Sequence, residues 1–376
     1  MKNEFFKSLT SKSSILPSVM IVGSYTWPWY QEACSLALEK IGCNVVRFSW
    51  FNDFQKHSQN TNIPTYHSFW HRLEYKFHFG PIVNSINKRL INFALRKKPD
   101  VIWFYNVQII SPKTLIELKK NLPNTIFAQY ANDNPFSLYA KKSMWKNFLE
   151  SIALFDIHFV YRLNNLNNYK KFNTKNVHLL RSYFIPEEDF PEETKNIPDR
   201  FQCDVVFAGH YENDGRIEIL EKICNQGYKL NIFGGGWEKA FSKLKPNSPL
   251  RNFFPIYPVI KDEYRYAICG AKVALCFLSK LNQDTYTRRN FQIPAMKTAM
   301  LSEWSEDLST LFINGKECEF FKDSNELLKK LAKLLSDENH RKNIALSGYN
   351  KVYKDGHDTI NRMHFFLQKI INIKTY

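Results

Sequence analysis

What this 376-residue chain lacks closes several functional classes. None of its seven cysteines, Cys34, Cys43, Cys203, Cys224, Cys269, Cys276 and Cys318, forms a C-x-x-C pair. An odd, scattered set inside apolar segments reads as buried free thiols in a reducing compartment, and it argues against a thiolate metal site. No run approaches the roughly eighteen apolar residues of a membrane-spanning helix. Residues 1–14 carry Lys2, Lys7 and Lys12 without the apolar core of a secretory signal. The expectation is a cytoplasmic protein, with any membrane contact peripheral and on the inner face. H-E-x-x-H, G-x-S-x-G and G-x-x-x-x-G-K-[ST] are all absent, which removes zincin, serine-hydrolase and P-loop chemistry. His67, His71 and His78 lie in an aromatic, basic stretch without an obvious further ligand, so no metal is expected there. Helix-turn-helix, zinc-finger and RNP-type patterns are missing and the lysines are scattered, so no nucleic-acid partner is expected.

What is present is ordinary globular material with two biases. A hydrophobic fraction of 44% and a charged fraction of 23% fit a folded protein, and the length suits two domains. Aromatics reach 15%, with 31 Phe, enough to fill cores and line a cleft as well. The formal charge of +16 attracts anions, among them phosphorylated small molecules and anionic membrane.

Along the chain, short apolar strands alternate with amphipathic helices. A strand over 18–22 ends at Gly23, a loop carries Tyr25, Trp27, Pro28 and Trp29, and a helix over 31–41 closes at Gly42. Strands over 44–48, 101–105, 125–129, 157–161 and 177–180 follow, with helices over 82–96 and 111–121, the latter opening on Ser111-Pro112. The acidic, proline-containing stretch 186–200 reads as a linker. The pattern then restarts, with strands over 204–208, 230–233, 271–278 and 300–303, and helices over 216–225, 263–269, 291–299, 325–336, 338–353 and 359–371. Strands alternating with helices imply mostly parallel sheets. The expected architecture is α/β with two Rossmann-like domains facing across a cleft: 1–185 as the acceptor domain, 201–358 as the nucleotide domain, and a final helix in 359–376 packing back on the first.

The chemistry concentrates where strands end. Asp284, Arg288, Arg289 and Gln292 follow a buried strand and open a helix. Arginines at a helix start are disfavoured by the dipole unless an anion is present, so Arg288 and Arg289 point to a diphosphate clamp. Gly209 follows the first strand of the second half, with His210 and Arg216 placed to reach a phosphate. Gly234-Gly235-Gly236-Trp237 ends the next strand without being a dinucleotide fingerprint, and taken alone the triplet reads slightly better as a simple tight turn.

Arg289-Asn-Phe-Gln292-Ile-Pro-Ala295, Leu301-Ser-Glu303, Leu308, Leu311-Phe312, Gly315-Lys316-Glu317, Phe320-Phe321, Gly348-Tyr349 and the stretch 355–362 resemble, in order and spacing, the C-terminal domain of CgeB-like glycosyltransferases. The resemblance covers about residues 200–365. It implies a GT-B fold, a nucleotide-diphosphate-sugar donor as substrate, no tightly bound cofactor and no metal. By the same resemblance Gly209 and Arg216 would face the donor phosphates, and Gly235 and Trp237 the nucleobase. One departure stands out: Gln292 occupies the position of the family's Glu, eight residues after Asp284, where an acidic residue holds the ribose. Gln can still accept and donate, without the charge.

In the first half, Tyr25, Trp27 and Trp29 at the strand end offer aromatic faces to an acceptor sugar. Asp133, in Asn132-Asp133-Asn134-Pro135, is the candidate base, and a turn before proline is an equally simple alternative. No Asp-x-Asp dyad follows a strand, so a metal-dependent GT-A transferase is not expected. The expected function is transfer of a sugar to a glycan or lipid-linked acceptor of the cell-surface polysaccharide type. The alternatives are a non-catalytic nucleotide-sugar-binding homologue and an NDP-sugar epimerase of similar layout.

Overall fold

Eleven strands among the described residues carry the architecture, and all of them pair in parallel. The computed structural model describes residues 16–51, 54 and 69–374, so the N-terminal stretch 1–14 and His67 lie outside the described residues. The chain divides into two units, Met1–Leu180 with Met363–Tyr376, and Arg181–Arg362.

In the first unit, β1 (Val19–Gly23), β2 (Val45–Ser49), β3 (Val101–Tyr105), β4 (Ile126–Ala131), β5 (Ile157–Val160) and β6 (Val177–Leu179) form one sheet in the order β2-β1-β3-β4-β5-β6. β3 reads Val-Ile-Trp-Phe-Tyr and every residue is buried, as expected of a central parallel strand covered on both faces. The helix Pro81–Lys97 lays Ile82, Val83, Ile86, Leu90 and Ala94 into the core at helical spacing. Ser111 caps the helix Pro112–Asn121 by accepting from the Thr114 amide, and Gly42 closes Ala33–Ile41 at a φ of 106°. The last helix, Thr359–Lys374, buries Met363, Phe366, Leu367 and Ile370. Phe366 stacks on Trp103 of β3 with centroids 4.3 Å apart and lies 5.0 Å from Phe159 of β5.

The second unit holds β7 (Cys203–Ala208), β8 (Leu230–Phe233), β9 (Ala271–Cys276), β10 (Ala299–Glu303) and β11 (Glu319–Phe321), ordered β11-β10-β9-β7-β8. Leu327, Leu331 and Leu334 of the helix Ser324–Ser336 pack into its core, and Asp323 caps that helix through the Asn325 and Glu326 amides. The stretch 186–200, expected as a linker, falls inside this unit, with Asp189 only 2% exposed and Ile197 buried. Helices over Lys142–Ser151 and Leu163–Lys170, and the strand β11, were not anticipated from the sequence.

Both sheets reverse direction once. The chain steps from β1 out to β2 and returns to the other side as β3, and it repeats this from β7 to β8 to β9. In open parallel sheets, loops leaving the carboxyl ends at such a reversal splay apart and leave a crevice for ligand. Tyr25, Trp27, Gly209, His210 and Asp284 follow the strands at these reversals, Gly235 and Trp237 follow β8, Asp133 follows β4, and Arg216, Arg289 and Gln292 lie in the first turns of helices.

Candidate functional site

In the second unit, the loop after β7 begins at Gly209. A Cβ at Gly209 would lie 2.7 Å from the Phe207 ring and 3.2 Å from Nη1 of Arg289, so the guanidinium approaches the bare backbone. The two loops are joined through main chain. Gly209 donates to the Phe233 carbonyl at 2.8 Å, and Tyr211 donates to the Gly235 carbonyl at 3.0 Å. Gly234, at a φ of 150°, passes so close that a Cβ there would stand 1.9 Å from the Gly209 carbonyl oxygen. His210 faces Gly235, its Nε2 3.1 Å from where a Cβ would be. Burial, then the neighbouring Arg289 cation, hold the His210 imidazole below its usual pKa. Arg289, His210 and two bare-backbone loops thus converge at the β7/β9 reversal.

Three expected donor contacts are turned inward. Arg216 is buried beside Phe207 and Phe277, and its guanidinium donates to both Asp214 carboxylate oxygens and to the His210 carbonyl, which fixes the loop. Trp237 is 1% exposed, donates from Nε1 to the Gly209 carbonyl at 3.0 Å and packs edge-on against Phe207. It is a core anchor for the glycine loop. Arg288 reaches Asp189 at 3.3 Å. Asp284 is half-buried in the turn after β9, its amide donating to the Ser279 carbonyl at 2.8 Å.

Gln292 is explained by a residue the sequence did not single out. Its Nε2 donates to Asp189 Oδ1 at 2.8 Å, and its Oε1 accepts from the Tyr264 hydroxyl at 3.3 Å. Asp189 also accepts from the Ile185 amide at 2.8 Å. A Glu at 292 would press a second carboxylate against Asp189 in a buried place, a costly like-charge contact. The glutamine fits this surrounding. Glu303, the last residue of the Leu301-Ser-Glu303 stretch, accepts from the Leu278 amide at 3.0 Å and pairs with Lys280 at the same sheet edge.

In the first unit, the loop after β1 places Tyr25 at a φ of 57° with its hydroxyl 3.2 Å from the Ile21 carbonyl and 3.4 Å from Ser35 Oγ. Burial pushes that phenol well above its usual pKa. Tyr25 therefore anchors the loop. Trp27 and Trp29 stack at 5.0 Å, and Trp27 stays 45% exposed. Ring contacts continue through Tyr30 and Tyr105 to Tyr130, from β1 across β3 to β4. Asp133, two residues past β4, accepts from Asn106 Nδ2 at 3.0 Å. Asn106 follows β3 at a φ of 51°, its amide bonded to the Tyr130 carbonyl at 2.7 Å. Its only sequence signal was an Asn immediately after a buried strand. His78 is buried with Nδ1 2.9 Å from the Met144 carbonyl, which occupies it structurally. Among the described residues no group of three or more His, Cys, Asp or Glu is placed to hold a metal.

Residues 216–368 match the family described as glycosyl transferase-like. No curated protein matches the sequence. Solved structures match at the level of fold. Sucrose-phosphate synthase from Thermosynechococcus elongatus superposes with a TM-score of 0.68 at 12% identity, over 96% of this chain and 99% of that one. HepE from Anabaena, solved with UDP-glucose, gives 0.64 at 10% identity over 96% and 100%. A UDP-forming α,α-trehalose-phosphate synthase from Burkholderia xenovorans gives 0.62 at 8% identity over 96% and 100%. The fold is that of GT-B glycosyltransferases, two Rossmann-like α/β domains each built on a parallel sheet. Together with the family match, it supports a transferase.

Proposed function

We propose that the protein transfers a sugar from a nucleotide-diphosphate sugar to a glycan or lipid-linked acceptor, in the manner of the CgeB-like group. The second unit binds the donor and the first binds the acceptor. The observation that carries this reading is the convergence of Arg289 and His210 on the bare backbone of Gly209, at the sheet reversal where such folds seat a phosphate. Gly235 lets the His210 ring approach the backbone of this second loop. HepE binds UDP-glucose, and the trehalose-phosphate synthase is UDP-forming, which supports a uridine nucleotide as the first donor to try. Asp133 is the proposed base, its carboxylate held by Asn106, and the Trp27–Trp29 stack is the proposed sugar platform. The cytoplasm is the proposed compartment, supported by seven free cysteines. The net charge of +16 supports peripheral contact with an anionic membrane.

Engagement of Gln292 with Asp189, in place of a ribose-binding carboxylate, favours one second reading: a homologue that binds nucleotide-sugars without turning them over. Titration calorimetry with UDP and other nucleoside diphosphates tests the site. Arg289→Ala should weaken the best of them by about 1.5–3 kcal/mol, roughly 10- to 150-fold. Arg289→Lys should fall between, keeping charge and losing the planar fork. Equal binding by Arg289→Ala and the parent would remove the phosphate site. Nucleotide binding with no donor turnover on any glycan or lipid-linked acceptor would select the non-catalytic reading.

A further inference from the structure

The first unit carries an exposed apolar rim that its own core does not use. Phe79 is 70% exposed, Leu138 88% and Tyr139 65%, and Phe77 is exposed beside them in sequence. Phe77 and Phe79 stand just before the helix Pro81–Lys97, and Leu138 and Tyr139 just before the helix Lys142–Ser151. His78 ties the two places together. Its ring lies 2.9 Å from the Met144 carbonyl, and its own carbonyl accepts from Asn147 at 3.4 Å. The exposed side chains therefore flank one junction. They are not strays from a loosened core, because Trp145 and Phe148 on the inner face of the same helix are buried.

Lysines dominate the charge around this junction, against Glu74 and, at the far end of the helix Lys142–Ser151, exposed Glu150. Lys76, Lys141, Lys142 and Lys146 are all exposed, and the Lys76 ammonium lies 5.0 Å from the Phe77 ring centroid. Between residues 69 and 98 the only acid is Glu74, and its carboxylate accepts from the Ile82 amide at 2.9 Å. Between 134 and 149 there is none. Exposed Phe, Tyr and Leu ringed by lysine ammonium groups match a bilayer surface carrying phosphate headgroups: the apolar tips enter the headgroup–acyl boundary while the lysines pair with lipid phosphates. A second copy of the chain would bring the same positive charge to the contact. A nucleic acid would find no π-face on Leu138, the most exposed of these side chains.

We propose that this junction, Phe77–Phe79 with Leu138–Lys146, docks the protein on an anionic lipid membrane. The junction shares no residue with the proposed donor site, so the inference can fail while the transferase reading stands, and the reverse.

The test is co-sedimentation of the full chain with vesicles of phosphatidylcholine alone and of equimolar phosphatidylcholine and phosphatidylglycerol, with UDP affinity measured in parallel. The parent should bind only the anionic vesicles and release them as salt rises. Each lysine near the bilayer contributes roughly a fivefold gain in partition, so Lys141→Ala/Lys142→Ala/Lys146→Ala should lower it about a hundredfold. Phe79→Ser/Leu138→Ser should lower it further at high salt, where the apolar contribution dominates. Both variants alter exposed side chains and should keep UDP affinity. Parent-like vesicle binding by both variants, or no anionic-vesicle binding by the parent, overturns the proposal. Loss of oligonucleotide binding in these variants with vesicle binding unchanged overturns it in favour of a nucleic acid.

Discussion

The two sheets repeat one plan with different contents. Each reverses once, and the informative loops of each leave the carboxyl ends of its strands at or beside that reversal. In the first unit those loops carry rings and amides, from Trp27 and Trp29 through Tyr30 and Tyr105 to Asn106 beside Asp133. In the second they carry bare backbone and fixed charge: Gly209 and Gly234 in close contact, Arg289 near Gly209, His210 near Gly235, and Arg216 locked by Asp214. In the proposed reading, the scaffold sets where a ligand would sit and the loop chemistry which ligand it would be. A stacked, amide-bearing edge suits a neutral sugar, and a glycine–arginine edge suits a diphosphate.

The cores differ as well, and the largest effects should expose it. The first unit is closed by the Phe366–Trp103 stack, whereas the second contains a nearly buried pair between Arg181 and Asp307, with Thr285 donating to the same carboxylate at 2.7 Å. Phe366→Ala should cost about 3–5 kcal/mol by opening a cavity. Asp307→Ala should cost about 3–5 kcal/mol by leaving the Arg181 guanidinium buried and unmatched. Circular dichroism melts check both. Destabilisation by Phe366→Ala should be insensitive to salt. Parent-like melts for either variant would break the contrast.

Acid should act on both units alike. His158 in the first and His357 in the second each have the pKa pushed down from 6.5 to about 3, mainly by burial, and for His357 also by Arg362, whose guanidinium donates to Nδ1. The folded forms hold these rings neutral, while the unfolded chain takes up protons as pH falls through 6.5. Stability is therefore present above that pH and is lost between 6.5 and about 3, on the order of 1.4 kcal/mol per pH unit for each histidine. Urea midpoints at pH 7.5, 6 and 5 should show the slope. His357→Gln should remove that ring's share of it, while His158 and the less strongly shifted His78, His178 and His210 keep theirs, and an unchanged slope would mean that the His357 ring is protonated in the folded state.

The smallest effect concerns the aromatic edge. Trp27→Ala should weaken a bound sugar acceptor by about 0.5–1.5 kcal/mol and leave UDP affinity untouched. A loss of nucleotide binding in this variant would erase the division of labour between the two edges.

What the sequence disclosed follows the same line. β3, β8 and the helix Arg216–Asn225 were legible with their observed bounds, because each is an apolar or amphipathic run with sharp breaks at both ends. Leu163–Lys170 was not, since its Asn-rich composition disfavours helix and tertiary packing of Asn165 and Tyr169 decides the outcome. The placement of Gly209 just past β7 and of Arg289 at a helix start was readable from the pattern, while their binding roles remain proposals. The roles of Arg216, Trp237 and Gln292 were not readable, because each depends on a side-chain direction. For Gln292 the partner is Asp189, 103 residues earlier, inside an acidic stretch that looked like a linker.

The second unit is one unbroken stretch of chain, but the first is completed only by Met363–Tyr376. A ribosome therefore finishes the second unit's last residue before it supplies the ring that covers Trp103. At about 5–20 residues per second, the wait between Leu180 and Phe366 lasts on the order of ten to forty seconds. During that time β3 and β5 stand with one aromatic face uncovered, and a chaperone that shields apolar strands has its natural window there. The order of synthesis makes the unit translated first the last to close.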